Sequence, residues 1–236
     1  MACEVLAELL FQVCEVYIDD ILVFGRTEDE YIENLEKILL RFRNKNITLN
    51  PDKCVFGKSS ANFVGYVIDG EGATFDQTKF DSVVDFIKPT NLKELRSFVG
   101  LVNYFRDHIK DHSKTTRPLQ EMIKFGNKTK KVRQPNNKYI QSIVWTPEAD
   151  ESFNLIKDMI NNCPKLFYID DKLPIYLHTD ASNYAIGAYL YQIKDGKEVP
   201  IRFMSKTLTG AQLNWSTIEK ECFAMYYSFK SLQLSY

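Results

Sequence analysis

Two adjacent carboxylates are costly to hold together unless something positive sits between them, and this chain of 236 residues carries such a pair twice. Tyr17-Ile18-Asp19-Asp20 and Tyr168-Ile169-Asp170-Asp171 are the same four letters. Like charges this close raise one pKa unless a cation compensates. Magnesium takes hard oxygen ligands, and two ions roughly 3.5–4 Å apart clamp both oxygens of a phosphoryl displacement. The flanks separate the copies. Apolar strand-formers stand on both sides of the first, VCEVYIDDILVF (13–24), which predicts strand, tight turn, strand. The second lies between Cys163-Pro164 and Leu173-Pro174, and prolines on both sides argue against a central hairpin. Asp19 and Asp20 therefore suit a two-metal site, with an Asp-Asp turn exposed to solvent as the plainer alternative. Asp170 and Asp171 read as loop residues.

His108 and His112 lie four apart, as zinc ligands on a helix can. No Cys-x-x-Cys follows, so the pair reads as a solvent-facing helical pair. The five cysteines (Cys3, Cys14, Cys54, Cys163, Cys222) are scattered and odd in number, as reduced thiols of an intracellular protein, cytoplasmic or nuclear, would be. Apolar residues make up 44% of the chain, enough for a core, and a net charge of −1 names no partner. No run of 18 apolar residues occurs, so no membrane span is expected. The first dozen residues include Glu4 and Glu8 and lack a basic start, which argues against a secretion signal.

Other elements must position these residues. Thr27 and Glu30 have capping-box spacing, and Tyr31, Ile32, Leu35, Ile38, Leu39 and Phe42 follow on one helical face that fades near Asn44–Asn46. Residues 62–76 predict a hairpin turning at Gly70–Gly72. Beyond Pro89, Asn91 and Glu94 open a helix with a stripe of Leu95, Phe98, Val99, Val102, Phe105 and Ile109. Residues 124–138 hold six basic residues, no acidic ones, a proline and four side-chain amides, which reads as a solvated linker. A helix begins near Thr146-Pro147. Residues 173–208 predict three strands, the second turning into the third at Asp195-Gly196, and Ser216 with Glu219 caps a last helix.

These segments carry a resemblance. VYIDDILVFG is similar to the Y-x-D-D hairpin of retroelement reverse transcriptases. ITLNPDKCVF, FVGYVIDGEG and PTNLKELRSFVGLVNYFRDHI resemble the stretches that follow it in gypsy-type LTR retrotransposons, up to the thumb helix. HTDASNYAIGAYLYQ, FMSKTL and NWSTIEKECFAMYYSFKSL resemble the front of the ribonuclease H domain. The likeness covers residues 13–120 and 145–232. It implies an α+β fold in two lobes: a palm remnant with a helical thumb, then a partial ribonuclease H-like sheet with a helix. The divisions expected are 1–88 for the palm, 89–123 for the thumb, 124–144 for a basic linker, 145–172 for the connection and 173–236 for the nuclease.

The resemblance also implies chemistry. Asp19 and Asp20 match the palm aspartates that hold Mg2+, or Mn2+ in its place, for RNA-directed DNA synthesis. Asp180 matches the first ribonuclease H carboxylate. Glu219 and Glu221 both lie about 80° from the centre of the stripe Ile218, Cys222, Met225, Phe229, so periodicity leaves the choice between them open. Glu219 has a capping role, and Glu221 aligns with the family's metal-binding glutamate. Phe63, Gly65 and Tyr66 match the primer grip, with a core role for Tyr66 as the alternative. Lys93, Arg96, Arg106 and Lys110 on the thumb-like helix would neutralise backbone phosphates without reading sequence, and Gly100 would let a backbone approach a duplex closely, with a solvated helix face as the alternative. The implied partners are an RNA template, a DNA primer, an RNA–DNA hybrid and dNTPs.

Departures from the family bear on activity. Only sixteen residues precede Tyr17, whereas the family's third palm aspartate and its fingers lie further upstream. Two further nuclease aspartates lie beyond the helix holding Glu221. The chain alone is therefore expected to be inactive. An upstream polyprotein segment or a second chain would supply the absent parts. A non-catalytic nucleic-acid-binding remnant is the alternative.

Overall fold

The computed structural model describes residues 2–126, 132–133, 139–140 and 142–233. It forms two compact units, Met1–Asp76 and Gln77–Tyr236.

In the first unit a short helix α1 (Ala2–Val5) leads into a hairpin of β1 (Cys14–Tyr17) and β2 (Asp20–Val23). Helix α2 (Glu28–Asn44) follows. The Thr27 side chain accepts the Glu30 N–H at 3.2 Å, so the expected cap forms, and the Glu30 carboxylate accepts the N–H of Arg26, one residue before the cap, at 2.8 Å instead of that of Thr27. Leu6, Cys14, Ile38 and Phe42 are the buried centre, with Val16, Ile21 and Val23 packed on it. Burying a side chain of the Phe or Ile class contributes roughly 1.5–3 kcal/mol. A meander of β3 (Ser60–Phe63), β4 (Tyr66–Asp69) and β5 (Gly72–Phe75) completes the unit. The turn between β4 and β5 falls where Gly70–Gly72 placed it. The sequence pattern gave no sign of the tighter turn at Val64-Gly65, both at positive φ (53° and 80°), as a two-residue type I′ hairpin requires.

The second unit joins a helical cluster to a sheet. Its helices are α3 (Gln77–Val84), α4 (Leu92–Tyr104), α5 (His112–Gly126) and α6 (Pro147–Asn161). Asn91 caps α4 by accepting from the N–H groups of Lys93 and Glu94, and Thr146 caps α6. Phe98 is fully buried between Phe86 and Phe153, with ring centroids 5.2 and 4.6 Å away. Phe105 and Ile109 are buried as expected, but α4 ends at Tyr104, so they belong to the connector after it. Two-residue strands β6 (Val132–Arg133) and β7 (Tyr139–Ile140) pair at the basic tract, whose other residues from 127 to 138 lie outside those described. After β8 (Leu166–Phe167), strands β9 (Ile175–Ala181), β10 (Ala185–Lys194) and β11 (Lys197–Thr207) form an antiparallel sheet in the order β11-β10-β9. The β10–β11 turn is Asp195-Gly196, at φ 52° and 74°. Helix α7 (Thr217–Gln233) lies on one face of the sheet. Among the described residues no helix is long and apolar enough to cross a membrane.

Two readings from periodicity are corrected. His108 and His112 are not solvent-facing: they are 5% and 4% exposed. Only His112 is helical, and the connector between α4 and α5 folds both inward. The stripe Ile218, Cys222, Met225, Phe229 is not the buried face of α7 either. Ile218 is 76% exposed, Met225 45% and Phe229 60%. The buried face is instead Lys220, Ala224 and Ser228, and the small side chains of Ala224 and Ser228 allow the helix to sit close. Periodicity identifies a stripe but not what covers it.

Candidate functional site

Strands β1 and β2 are joined by Ile18 and Asp19 alone. Cross-strand partners share a face. The pairs Cys14–Val23 and Val16–Ile21 face Ile38 and Phe42, so the pairs Tyr17–Asp20 and Glu15–Leu22 face away from that core. The Asp20 carboxylate thus stands on the open face, and Asp19 at the bend; both are exposed. Ile18 holds φ 54° and is 71% exposed. A β-branched residue there is strained by about 1–3 kcal/mol. Positive φ at the first turn position alone is the type II′ pattern, whose twist matches the strands. The turn therefore presents two hard oxygen-donor groups at the end of a sheet anchored by α2. A cavity of about 770 Å³ flanks the hairpin, walled by Leu22, Phe24, Tyr31, Phe56 and the basic Arg26 and Lys58.

The second group of carboxylates sits on β9 and α7. Asp180 pairs with Gly187, and Ala181 with Ile186. Ala181 and Ile186 face α7 through Ala224, Phe223 and Tyr227, so Asp180 faces the other side of the sheet and is exposed. Glu219 is occupied by the cap. Its carboxylate accepts the Ser216 N–H at 2.7 Å and the hydroxyl at 2.9 Å, and these bonds hold its pKa below the usual range. Glu221 is half-buried, one position beyond the buried Lys220. Among the described residues no group of three or more His, Cys, Asp or Glu side chains is arranged to hold a metal ion. The first YIDD turn thus offers two adjacent carboxylates whose oxygens suit a hard divalent cation, whereas Asp180 faces the side of the sheet away from α7, the helix that carries Glu221.

Residues 2–68 match the family described as reverse transcriptase (RNA-dependent DNA polymerase). Residues 145–234 match the RNase H-like domain found in reverse transcriptase. The chain belongs to the reverse transcriptase and ribonuclease H region of LTR-retrotransposon Pol polyproteins. It is 33% identical over 233 residues to the retrovirus-related Pol polyprotein from transposon opus of Drosophila melanogaster, covering 99% of this chain and 23% of that protein. It is 36% identical over 215 residues to the transposon Tf2-3 polyprotein of Schizosaccharomyces pombe, covering 91% of this chain and 15% of that one. The chain therefore spans less than a quarter of these relatives. The foamy viral protease-reverse transcriptase in complex with an RNA/DNA hybrid shares the fold, with a TM-score of 0.76 and 23% identity over 97% of this chain and 29% of that one. The same viral protein with double-stranded DNA gives 0.76 and 24%, over 99% and 46%.

The remaining residues of this reverse transcriptase-like chain fall into place by element. Phe63 and Tyr66 pair across the Val64-Gly65 turn, and the Tyr66 ring lies 4.7 Å from Phe75, half-buried. Lys93, Arg96 and Gly100 share one exposed face of α4, and nothing lies within 4 Å of where a Cβ on Gly100 would stand. Arg106 lies beyond the helix end. Its guanidinium donates to the Ser205 carbonyl at 2.8 Å and so ties the connector to β11.

Two polar residues had no signal in the sequence. The Asp111 carboxylate lies against Gly187, where a Cβ would come within 2.8 Å of its Oδ1. A Cβ there would make the Asp111 carboxylate swing aside, on the sheet face that carries Asp180. Lys220 was hidden by its type, since lysine on a helix ordinarily marks the solvent side.

Proposed function

We propose that this chain supplies the paired palm carboxylates and the first nuclease carboxylates of a retrotransposon enzyme that copies RNA into DNA and degrades the RNA strand. The observation that carries this reading is the first YIDD turn, a strained two-residue bend that holds Asp19 and Asp20 off an anchored sheet. Asp19 and Asp20 would hold Mg2+, or Mn2+ in its place, at the palm, and Asp180 and Glu221 would do so at the nuclease. Such ions, when bound, stabilise the charge that builds on the transferred phosphoryl group. The chain's own part is positional. The β1–β2 turn fixes the direction of two carboxylates, and the α7 cap fixes the first turn of the helix that carries Glu221. Primer, template, hybrid and dNTP are the matching substrates, with Lys93 and Arg96 as phosphate contacts along α4. Phe63, Gly65 and Tyr66 would steady the primer strand. The setting of this reading is intracellular, cytoplasmic or nuclear.

The test is a crossed pair of assays on the longer polyprotein region. Asp19→Asn should lower primer extension by on the order of 10²–10³-fold while hybrid cleavage persists. Asp180→Asn and Glu221→Gln should do the reverse. Equal loss of both activities in every variant would contradict the assignment.

A further inference from the structure

Arg106 and Asp107 lie in the connector that leaves the C-terminal end of α4, and they close on one edge of the sheet. β11 is an edge strand, so half of its backbone groups point away from β10 and need partners outside the ladder. The connector supplies two such partners. The Phe203 N–H donates to the Asp107 carbonyl at 2.9 Å, and the Ser205 carbonyl accepts from the Arg106 guanidinium at 2.8 Å. Side chains add two more bonds. Arg202 donates to the Asp107 carboxylate at 3.1 Å. The hydroxyl of the buried Ser205 accepts the N–H of Ser113, in the first turn of α5, at 3.0 Å. The Arg202–Asp107 pair is partly exposed and weak by itself. The charge-assisted Arg106 bond and the buried Ser113–Ser205 bond carry the clamp. Its register is single: a slip of one residue along β11 would offer groups that point toward β10.

The clamp joins two functional surfaces. On one side stands α4, whose exposed face carries Lys93 and Arg96. From Lys93 to the end of the helix is roughly 16 Å at 1.5 Å per residue. On the other side, two strands from β11, stands Asp180 on β9, roughly 10 Å across the sheet.

We infer that Arg106 and Ser205 are positioning residues of the nuclease reaction: they hold the phosphate-contacting face of α4 at a fixed offset from Asp180, and so set which phosphodiester of the hybrid is cut. This rests on the functional reading above. Neither residue touches the substrate. Arg106 acts through the Ser205 carbonyl and not through a phosphate, which replaces the contact expected of it from the sequence. The cut is made where a held strand meets a fixed carboxylate, so play between the two surfaces becomes uncertainty in the position of the cut.

The test uses the longer polyprotein region and an RNA–DNA hybrid with one recessed DNA 3′ end, and it reads the cut positions in end-labelled RNA. The wild type should cut within a narrow window at a fixed distance from that end. Arg106→Met combined with Ser205→Ala removes both bonds, and the cuts should spread by about one to two nucleotides, at roughly 3.4 Å per step. Total cleavage should change little, because Asp180 and Glu221 are untouched. Arg106→Lys keeps a cationic donor for the Ser205 carbonyl and should keep the window. Lys88→Met breaks an ion pair with Asp150 inside the helical cluster and should keep it too. Should the double variant unfold, Arg106→Met alone is read in the same way. Cuts that stay within the wild-type window, whether total cleavage holds or falls, would show a purely structural clamp and overturn the inference alone. It is overturned equally by a Lys88→Met variant that spreads its cuts as far, or by a wild type that cuts at scattered positions. A wild type that cleaves no hybrid overturns the functional reading and this inference together.

Discussion

The tetrapeptide Tyr-Ile-Asp-Asp folds one way at residues 17–20 and another at 168–171. In the first copy it closes a hairpin, with Ile18 at φ 54° and Tyr17 paired to Asp20. In the second it is irregular backbone leading into a turn. There the Gln192 side chain, 1% exposed, holds the chain from the side: its carbonyl accepts the Asp170 N–H at 2.9 Å and its amide donates to the Asp170 and Leu173 carbonyls at 2.8 and 2.9 Å. The Asp170 side chain turns back on itself to accept the Lys172 N–H at 3.0 Å. The difference teaches that four residues do not specify a site. The first copy is made by its flanks, which pair with each other and rest on α2. The second, set between prolines, satisfies its backbone through one side chain of a neighbouring strand.

That contrast can be broken from either side. Phe42 is 4% exposed in the core beneath the first hairpin. Phe42→Ala should cost about 3–5 kcal/mol. Hydrogen exchange should then show loss of amide protection over residues 14–23, with residues 168–173 unchanged. Joint loss in both segments would contradict two independent supports.

Acid should act the opposite way. The three histidines are His108, His112 and His178, all in the unit that holds the second copy. Burial lowers His108 to about 4, and burial with the nearby Arg106 charge lowers His112 to about 4. Both are neutral when folded, whereas unfolded imidazoles titrate near 6.5. The unfolded state therefore binds more protons in between, and stability present above about pH 6.5 is lost as pH falls toward 4. Each histidine should account for about 2 kcal/mol by pH 5. Urea midpoints at pH 7 and pH 5 should fall for the second unit and stay level for the first.

Smaller effects sharpen the comparison at the turns themselves. Gln192→Leu leaves three backbone groups around Asp170 without their partner and should cost about 1–3 kcal/mol. Exchange should quicken at residues 170–173 and not at 17–20. Ile18→Gly should gain about 1 kcal/mol, since glycine takes positive φ without strain but adds chain entropy to the unfolded state. Ile169→Gly, where φ is not positive, should give no gain. Thermal melts of the two variants would show whether the strain is local to the first copy.

Much of the fold was legible because its signals are short-range. Thr27 with Glu30, Asn91 with Glu94 and Ser216 with Glu219 each cap a helix from within four residues. Asp195-Gly196 marks its turn by residue type. The candidate site was legible only in part, because spacing names the carboxylates but not their surroundings. Nothing local says that α7 turns Ala224 and Ser228 to the sheet and leaves Phe229 outside. Nor does a sequence show that the connector buries His108 and His112, or that Asp111 finds room against Gly187. Each of these depends on contacts between segments far apart in the chain.

The central claim is that divalent cations belong at the first YIDD turn and not at the second. Titration of the isotopically labelled chain with Mn2+, followed by paramagnetic broadening of backbone amides, addresses it directly. The account predicts broadening centred on residues 18–21, a second centre near Asp180 and Glu221, and sharp signals throughout 168–173. Broadening that centres on Asp170 and Asp171, or that spares residues 18–21 at every concentration, would contradict it.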